Sequence, residues 1–270
     1  MPEIHPTAFV AEGARLADDV VVGPFCAIGP EVEIGAGSVL RSHVAVDGRT
    51  VIGEGAQIFP FASVGHQPQD LKYRGEPSRL VIGRDALIRE NVTINPGTEG
   101  GGMLTEIGDR CALLAGSHVA HDCRIGNDVI LVNNVMVAGH VTIGDFAILG
   151  GGSAAHQNVR IGAHAFVGGL TGLENDLIPF GMATGNRATL AGLNIVGLRR
   201  RGFERDAIHA LRRAFRSVFE SSEGTLAERT AAVAAEHAGS PLVERMVAFL
   251  QTGGERAICT PQSGDAAARA

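Results

Sequence analysis

An aliphatic residue recurs at every sixth position through most of this 270-residue chain. The repeat runs over residues 4–64, resumes in the same register over 82–94, and continues over 107–173 after a shift of one residue. Self-similarity at a fixed short period is typical of a solenoid, in which each repeat buries its apolar side chain against its neighbours. The positions are Ile4, Val10, Leu16, Val22, Ile28, Ile34, Leu40, Val46, Ile52, Ile58, Val64, Ile82, Ile88, Ile94, Ile107, Leu113, Val119, Ile125, Leu131, Val137, Ile143, Leu149, Ala155, Ile161, Val167 and Leu173.

Glycine follows the aliphatic residue in many repeats, as in Val22-Gly23 and Ile143-Gly144. A residue without a Cβ lets the backbone turn at that point without a clash. We therefore expect each hexad to supply one short strand and one corner, and three hexads to close a triangular coil. Successive coils should rise by about 4.8 Å, the spacing of paired strands. The pattern resembles the left-handed parallel β-helix of hexapeptide transferases, and the handedness follows from that resemblance alone.

The repeat divides the chain into a solenoid and a C-terminal part. We predict a β-helix over residues 1–185, a helical domain over 186–252 and a disordered tail over 253–270. Two polar or glycine-rich segments, 66–80 and 96–106, interrupt the hexads and are predicted to project as loops. Loops on a rigid scaffold commonly carry function.

Helical signals replace the hexads in the C-terminal part. Residues 203–221 place their apolar side chains on one face at helical spacing. Thr225 and Glu228 match a capping box at the start of a second helix. Ser240 followed by Pro241 is typical of the start of a third helix, because proline fits the first helical position.

Composition and charge exclude several classes of protein. A net charge of −6 argues against a nucleic-acid-binding protein, and no apolar run approaches the roughly 18 residues of a membrane-spanning helix. The four cysteines are widely spaced without a CxxC pair, and no signal peptide is apparent, so we expect a cytoplasmic protein with reduced thiols. Seven arginines nevertheless cluster between Arg199 and Arg216, which predicts a local anionic partner.

Histidines gather in the second half of the repeat. His121 and His140 are 19 residues apart, one coil plus one residue, so they should lie near each other on one edge. His118, Asp122 and His156 belong to the same or neighbouring coils. Such side chains can ligate a metal, act as a general base or be purely structural. The spacing alone leaves all three interpretations open.

Several short strings, in order along residues 1–250, resemble one known family. They are Gln69-Asp-Leu-Lys-Tyr73, His118-Val-Ala-His121-Asp-Cys, Ala138-Gly-His140, Gly150-Gly-Gly, Ala155-His156-Gln157, Gly192-Leu-Asn194-Ile and Gly197-Leu-Arg-Arg-Arg-Gly-Phe203. Together they resemble the UDP-N-acetylglucosamine acyltransferases of lipid A biosynthesis. The resemblance implies transfer of a (3R)-3-hydroxyacyl group from acyl carrier protein to the 3-hydroxyl of UDP-N-acetylglucosamine, by a homotrimer without metal or cofactor.

Matching positions carry over the family's site residues. The resemblance implies that His121 is the general base, that Asp122 orients or charge-supports it, and that the Gly139 backbone N–H stabilises the oxyanion. Substrate-binding roles are implied for Gln69, Asp70, Lys72, His118, His140, His156, Gln157, Gly169, Asn194, Arg200 and Arg201. From the basic cluster we predict that acyl carrier protein docks on Arg212, Arg213 and Arg216.

Two positions bear on specificity. The resemblance makes Gly169 the hydrocarbon ruler, and a glycine there predicts a preference for acyl chains longer than ten carbons. Its hexad lies about 2.7 coils from that of His121, roughly 13 Å along the axis. The resemblance departs at Val196, where the family carries a glutamate, and valine cannot accept a hydrogen bond from the nucleoside.

Two other enzymes built on the same solenoid are the alternatives. The N-acyltransferase of the same pathway carries an N-terminal nucleotide-binding domain, and hexads that start at Ile4 disfavour it. A zinc-dependent lyase like the gamma-class carbonic anhydrases needs neither the 66–80 loop nor the arginine-rich C-terminal part.

Overall fold

The computed structural model describes residues 1–262, in which the hexads form a parallel β-helix of triangular cross-section. Each short strand pairs with the strand one coil away, as His118 pairs with Met136 and Ile130 with Ile148. Stacking of the coils produces three sheets of eleven, nine and eight strands. No helix within the described residues is long and apolar enough to cross a membrane.

Most of the strands contain only two residues, because each hexad also has to form a corner. In chain order they are β1 (Glu3–Ile4), β2 (Phe9–Val10), β3 (Arg15–Leu16), β4 (Val21–Val22), β5 (Ala27–Ile28), β6 (Glu33–Ile34), β7 (Val39–Leu40), β8 (Ala45–Val46), β9 (Arg49–Ile52), β10 (Gln57–Ile58), β11 (Ser63–Val64), β12 (Arg79–Ile82), β13 (Leu87–Ile88), β14 (Thr93–Ile94), β15 (Leu104–Ile107), β16 (Ala112–Leu113), β17 (His118–Val119), β18 (Arg124–Ile125), β19 (Ile130–Leu131), β20 (Met136–Val137), β21 (Thr142–Ile143), β22 (Ile148–Leu149), β23 (Ala154–Ala155), β24 (Arg160–Ile161), β25 (Phe166–Val167), β26 (Gly172–Leu173), β27 (Gly181–Thr184) and β28 (Thr189–Leu193).

Four α-helices follow the β-helix within the described residues: α1 (Ile195–Arg200), α2 (Arg205–Phe219), α3 (Leu226–Glu236) and α4 (Pro241–Thr252). The three predicted helices correspond to α2, α3 and α4. Thr225 and Glu228 form the predicted capping box, and α4 begins with proline in its first turn. The short helix α1 was not predicted, because six residues are too few to show a periodic apolar face.

The repeated aliphatic side chains form the core. Every one of them from Val22 onward is buried, whereas Ile4 in the first coil is 41% exposed. A second inward position, two residues earlier in the hexad, holds smaller side chains such as Val20, Cys26 and Ala56. Burial of one aliphatic side chain is worth about 1.5–3 kcal/mol, so the stacked columns supply the main stabilisation.

The glycine after the aliphatic residue has a different cause from the one we inferred. A Cβ on Gly53 would lie 2.7 Å from backbone atoms of Gly83, and one on Gly144 would lie 2.5 Å from the Ala163 nitrogen. The position is therefore small because the next coil packs directly against it. The left-handed backbone conformation of the turns lies at other residues, including Asp122 and His140.

Each of the three edges of the prism carries one column of turns. The cleft edge, between the nine- and eight-stranded sheets, holds the turns at His121–Asp122, Gly139–His140 and Gln157–Asn158. The capped edge, between the eight- and eleven-stranded sheets, holds Phe146, His164 and Phe180. The open edge, between the eleven- and nine-stranded sheets, holds Phe25, His43, Phe61 and Leu170.

The end of the solenoid differs from the predicted boundary at residue 185. That position lies in the turn between β27 and β28, and β28 returns antiparallel to β27 as part of the eleven-stranded sheet. An antiparallel return has no hexad register, so the repeat could not predict it.

The predicted disorder of 253–270 is wrong for its first part. Ile258 forms a β-bridge with Asp176, and Cys259 is buried. The low-complexity composition begins only beyond these residues, and residues 263–270 lie outside the described part of the chain.

Candidate active site

His121 lies on the cleft edge in direct contact with a buried carboxylate. Its Nδ1 is 2.8 Å from Oδ2 of Asp122, whose side chain is fully buried. Because an ionised carboxylate only accepts hydrogen bonds, Nδ1 carries the proton and Nε2 of the neutral ring is left as an acceptor. The ring is 14% exposed and lines a cleft. This is the arrangement of a general base that is oriented by an acid.

Gly139 lies one coil above His121, directly against its ring. A Cβ on Gly139 would lie 2.6 Å from Cε1 and 2.7 Å from Nε2 of His121, so only glycine leaves room for the imidazole. Within residues 1–262 the Gly139 backbone N–H donates no hydrogen bond. A free N–H donor next to a basic nitrogen is suited to bind an oxyanion.

The 96–106 loop covers Asp122 and buries it. Thr98 donates its backbone N–H to Oδ1 at 2.9 Å and its hydroxyl to Oδ2 at 2.5 Å. Thr105 does not belong to the loop in the structure but to strand β15, and its hydroxyl accepts from the Asp122 backbone N–H at 2.8 Å. A Cβ on Gly101 would lie within 2.0–2.4 Å of the Asp122 side chain, so the glycine-rich sequence of the loop permits this close cover. The sequence predicted the loop but gave no signal for these two threonines.

Two further histidines adjoin His121. The rings of His121 and His140 are 5.0 Å apart and nearly perpendicular, and Nδ1 of His140 is 4.0 Å from Oδ2 of Asp122. His118 shares a hydrogen bond of 2.7 Å with the Thr93 hydroxyl. Burial, and secondarily the charge of His121, lower the pKa of His118. A lowered pKa favours the neutral form of His118, which then adds no positive charge to the cluster.

The cleft in front of His121 has a volume of about 930 Å³. The 66–80 loop forms its opposite wall, where Asp70 caps its own turn by accepting the Lys72 backbone N–H at 2.9 Å. Asn95 anchors the base of this loop through a hydrogen bond to the His66 carbonyl. Six predicted site residues line the cleft: Gln69, Asp70, Lys72, His121, His140 and Gln157.

The same cluster has the composition of a possible metal site. One ligand atom each from His121, Asp122 and His140 lies within 4.8 Å of the others. Both oxygens of Asp122, however, already accept hydrogen bonds from Thr98, and Oδ2 also pairs directly with His121. A zinc ion at about 2.0–2.2 Å from these atoms would have to replace the pairing with His121. The donor set fits a hydrogen-bonded dyad better than a metal centre.

His156 and Gln157 lie one coil beyond Gly139 on the cleft edge, and both are exposed. The side chain of Arg256, which follows the last helix, reaches both of them. It donates to Nδ1 of His156 at 2.6 Å and to the Gln157 carbonyl at 2.9 Å. Sequence reasoning missed Arg256, because we assigned its segment to a disordered tail.

Four predicted substrate residues lie on the other two edges of the same chain. Gly169 precedes Leu170 on the open edge. Asn194 is buried at the capped edge, where its side chain accepts from the Gly197 backbone N–H and donates to the His164 carbonyl, both at 3.0 Å. Arg200 is exposed on α1. Arg201 donates to the Phe146 carbonyl at 2.9 Å. One chain therefore does not bring these residues to the cleft.

The three arginines predicted to dock a carrier protein lie on one helix. Arg212, Arg213 and Arg216 are all exposed on α2. No carboxylate among residues 1–262 lies within 4 Å of their guanidinium groups. Their charge is thus available to an external anionic partner. Val196, at the site of the family's glutamate, is 60% exposed on α1.

Sequence families match both halves of the chain. A family described as Udp N-acetylglucosamine O-acyltransferase, domain 2, matches residues 176–259. The bacterial transferase hexapeptide family, with six repeats, matches residues 104–139.

Relatives and solved structures match nearly the whole chain. A protein of Rhizobium johnstonii named acyl-[acyl-carrier-protein]--UDP-N-acetylglucosamine O-acyltransferase is 49% identical over 97% of this chain and 96% of its own length. A similarly named protein of Sinorhizobium fredii is also 49% identical, over 97% of both chains. LpxA from Acinetobacter baumannii has a TM-score of 0.91 at 42% identity, with 94% of this chain and 98% of that chain covered. UDP-N-acetylglucosamine acyltransferase from Campylobacter jejuni has a TM-score of 0.90 at 40% identity, with 96% and 99% covered.

These similarities confirm the predicted fold class, a left-handed parallel β-helix with a C-terminal α-helical domain. With relatives 49% identical over nearly its full length, the chain belongs to the UDP-N-acetylglucosamine O-acyltransferase family.

Proposed function

We propose that this protein transfers a (3R)-3-hydroxyacyl group from acyl carrier protein to the 3-hydroxyl of UDP-N-acetylglucosamine, the first step of lipid A biosynthesis. One observation carries the proposal beyond the names of the relatives. His121 pairs through Nδ1 with the buried Asp122 and faces a cleft beside the free Gly139 N–H. A base and an oxyanion donor side by side are what acyl transfer to a hydroxyl requires.

The reaction follows from this geometry. Nε2 of His121 removes the proton of the sugar hydroxyl as its oxygen attacks the thioester carbonyl. The Gly139 N–H donates to the oxyanion of the tetrahedral intermediate. Asp122 stabilises the imidazolium that forms, and the intermediate collapses when the C–S bond breaks. The imidazolium then returns its proton to the departing thiolate, so the products are the ester, the free thiol of the carrier and the regenerated base.

The direct test is mass spectrometry of the product. UDP-N-acetylglucosamine incubated with hydroxyacyl carrier protein should gain the mass of one hydroxy fatty acid less one water, as a base-labile ester. The sister N-acyltransferase is tested in parallel with a UDP-3-O-acyl-glucosamine acceptor, which should remain unmodified. An amide product with that acceptor, and no ester with the first, would overturn the assignment.

We infer a homotrimer in which neighbouring chains complete each site. The cleft edge holds the base, whereas Gly169, Arg200 and Arg201 lie on the other two edges, so they reach a cleft only from an adjacent chain. Exposed apolar side chains support a contact along the nine-stranded sheet and the open edge. These are Phe9, Phe25, Phe61, Met136 and Leu170, between 54% and 80% exposed. Three chains that meet side by side around one axis would bury them.

The partners follow from the same site. UDP-N-acetylglucosamine would occupy the cleft between the 66–80 loop and His121, with Asp70 and Lys72 holding the sugar. Hydroxyacyl carrier protein would dock on the unpaired arginines of α2, because its surface is acidic.

We further propose a cytoplasmic enzyme that needs no metal or cofactor and binds no nucleic acid. The hydrogen bonds around Asp122 support the metal-free mechanism.

A further inference from the structure

The segment after α4 returns to the β-helix and is fixed there by contacts that do not involve Arg256. Ala257 accepts from the Asp176 backbone N–H, and the Cys259 backbone N–H donates to Asp176, both at 2.8 Å. Cys259 is buried. The Asp176 carboxylate, itself fully buried, accepts from Arg160 at 2.7 Å. Backbone pairing and burial thus suffice to anchor this segment.

Arg256 takes no part in these anchoring contacts. Its guanidinium contacts the rim of the cleft through Nδ1 of His156 and the Gln157 carbonyl, at 2.6 and 2.9 Å. The adjacent Glu255 accepts a hydrogen bond from Asn158. Two neighbouring side chains of the segment thus hold three consecutive residues of one turn. Gln157 lines the same cleft as His121.

The contact with His156 determines its tautomer. Nδ1 of His156 lies 2.6 Å from the Arg256 guanidinium and 3.3 Å from the Gln157 carbonyl oxygen. A guanidinium only donates hydrogen bonds, so at the shorter of these two contacts Nδ1 has to accept. The proton of the neutral imidazole then lies on Nε2, and the ring presents an N–H donor away from Arg256. A donor fixed in this way suits a ligand rich in oxygen acceptors, such as a sugar or a diphosphate.

We propose that Arg256 is a positioning residue that fixes His156 as an Nε2–H donor and holds Gln157 at the rim of the substrate cleft. The inference rests on the proposed function for the identity of the ligand, the sugar nucleotide. Arg256 does not contact the reacting atoms. Its loss should weaken binding of the sugar nucleotide and leave the chemical step unchanged.

The first test reads the tautomer without any substrate. Nitrogen-15 NMR of the histidine-labelled full chain at about pH 8, where imidazoles are mostly neutral, should show His156 as the Nε2–H form, with its signal assigned from His156→Gln. Arg256→Met should give a mixture of tautomers, and Arg256→Lys should retain the Nε2–H form, because an ammonium group also donates. An unchanged His156 signal in Arg256→Met would overturn the proposal.

The second test is kinetic. Arg256→Met should raise KM for UDP-N-acetylglucosamine about tenfold, the effect of one lost oriented hydrogen bond, with kcat within about twofold. The KM of Arg256→Lys for UDP-N-acetylglucosamine should lie between those of Arg256→Met and wild type. Arg187, an exposed arginine in the turn between β27 and β28, provides the matched control, and Arg187→Met should change neither constant.

The outcomes separate the two proposals. An unchanged KM in Arg256→Met would reject the role at the cleft. A wild-type protein that forms no ester would reject the proposed function, while the NMR experiment would still decide whether Arg256 sets the tautomer. Thermal unfolding of Arg256→Met should match wild type, because the backbone of the segment is anchored through Asp176.

Discussion

The cleft edge and the capped edge place histidines at equivalent turns but give them opposite surroundings. His140 and His164 both have left-handed backbone conformations, with φ of 61° and 60°. On the cleft edge, the rings of His121 and His140 adjoin the Asp122 carboxylate and open to solvent. On the capped edge, His164 is stacked between Phe146 and Phe180 at 4.9 and 5.6 Å and touched edge-on by Phe203.

The difference shows that the repeat positions side chains but does not decide their chemistry. The 96–106 loop brings hydrogen-bond donors to Asp122 and leaves His121 accessible. The start of the helical domain instead seals His164 under Phe203 and Arg201. Burial, with the charges of Arg201 and Arg245, lowers the pKa of His164 to about 4, and its Nδ1 has no hydrogen-bond partner among the described residues. What covers an edge therefore decides whether its histidine faces a cleft or packs in an apolar stack.

The largest expected effect sets one histidine against the other. His121→Ala should lower kcat by about 10²–10⁴, the contribution of a general base, with nearly unchanged thermal unfolding. His164→Ala should have the reverse effect, a loss of roughly 2–4 kcal/mol in stability from the truncated ring stack, with kcat largely retained. Steady-state kinetics and thermal denaturation of both variants measure this. Wild-type kcat in His121→Ala would remove the catalytic assignment.

The helical domain that seals the capped edge should also have a binding role. Arg212→Glu combined with Arg213→Glu should raise KM for hydroxyacyl carrier protein about tenfold, because two attractive charges become repulsive, with a milder effect on the sugar nucleotide. Wild-type KM should also rise with salt, since exposed charges are screened over about 8 Å at physiological ionic strength. Arg187→Glu is the control. A KM that responds to neither the reversal nor salt would place docking elsewhere.

The open edge extends the comparison to a third column of turns. Gly169 does not have a left-handed φ, and an added Cβ would meet only the Gly151 carbonyl oxygen at 3.3 Å. The backbone therefore does not require glycine there, and a larger side chain can project outward. Gly169→Met should shift the preferred hydroxyacyl chain several-fold toward about ten carbons, given roughly 1.25 Å per carbon.

Competition among carrier proteins with chains of different length measures this shift. Gly151→Met, one coil closer to His121 and free of close contacts, should favour still shorter chains. A folded Gly169→Met variant with an unchanged length profile would show that another residue limits the chain.

The contribution of the capped edge to the stability of the protein should depend on pH. An unfolded histidine titrates near 6.5, whereas the pKa of His164 in the fold is about 4. Between these values the unfolded chain binds more protons, so the contribution of His164 to stability is complete above about pH 6.5 and is lost as pH falls toward 4. His164→Phe keeps the ring stack but does not titrate. Between pH 7 and pH 5 its free energy of unfolding should therefore fall by about 1–2 kcal/mol less than that of wild type. Chemical denaturation at the two pH values measures both free energies of unfolding. An equal decrease in wild type and His164→Phe would contradict the prediction.

The smallest expected effect distinguishes the hydrogen-bonded dyad from a metal centre. Prolonged treatment with a chelator should leave kcat unchanged, because Asp122 is engaged by Thr98 and His121. Elemental analysis of the treated protein verifies that metal has been removed. Loss of activity that zinc alone restores would favour the lyase alternative.

The regular parts of the molecule were predictable, because one physical constraint repeats. Every buried hexad position from Val22 to Leu173 follows from the same need to fill a narrow core. The capping box at Thr225 and the proline at the start of α4 are local sequence signals, and these two helix starts were equally predictable.

The site was only partly predictable. The resemblance predicts roles for His121 and Gly139. The ring of His121 fits only because Gly139 lacks a Cβ, and this contact between coils is not visible from spacing alone. Thr98 and Arg256 reach the site from a loop and from a segment after the last helix. Such contacts depend on how irregular backbone folds back, and no periodic pattern encodes that.

The two ends of the solenoid differ in how their last coil is finished. Beyond Leu173 the antiparallel strand β28 and the segment through Cys259 pair with the final coil. At the other end Ile4 is 41% exposed, and among residues 1–262 Glu3 and Ile4 pair only with the coil that follows. Stability in a solenoid is roughly a sum over neighbouring repeats, so a coil with one neighbour opens most easily. Unfolding should therefore begin at the N-terminal coils and proceed toward the cleft, with the coils that carry His121 and Gly139 among the last to exchange their amide hydrogens.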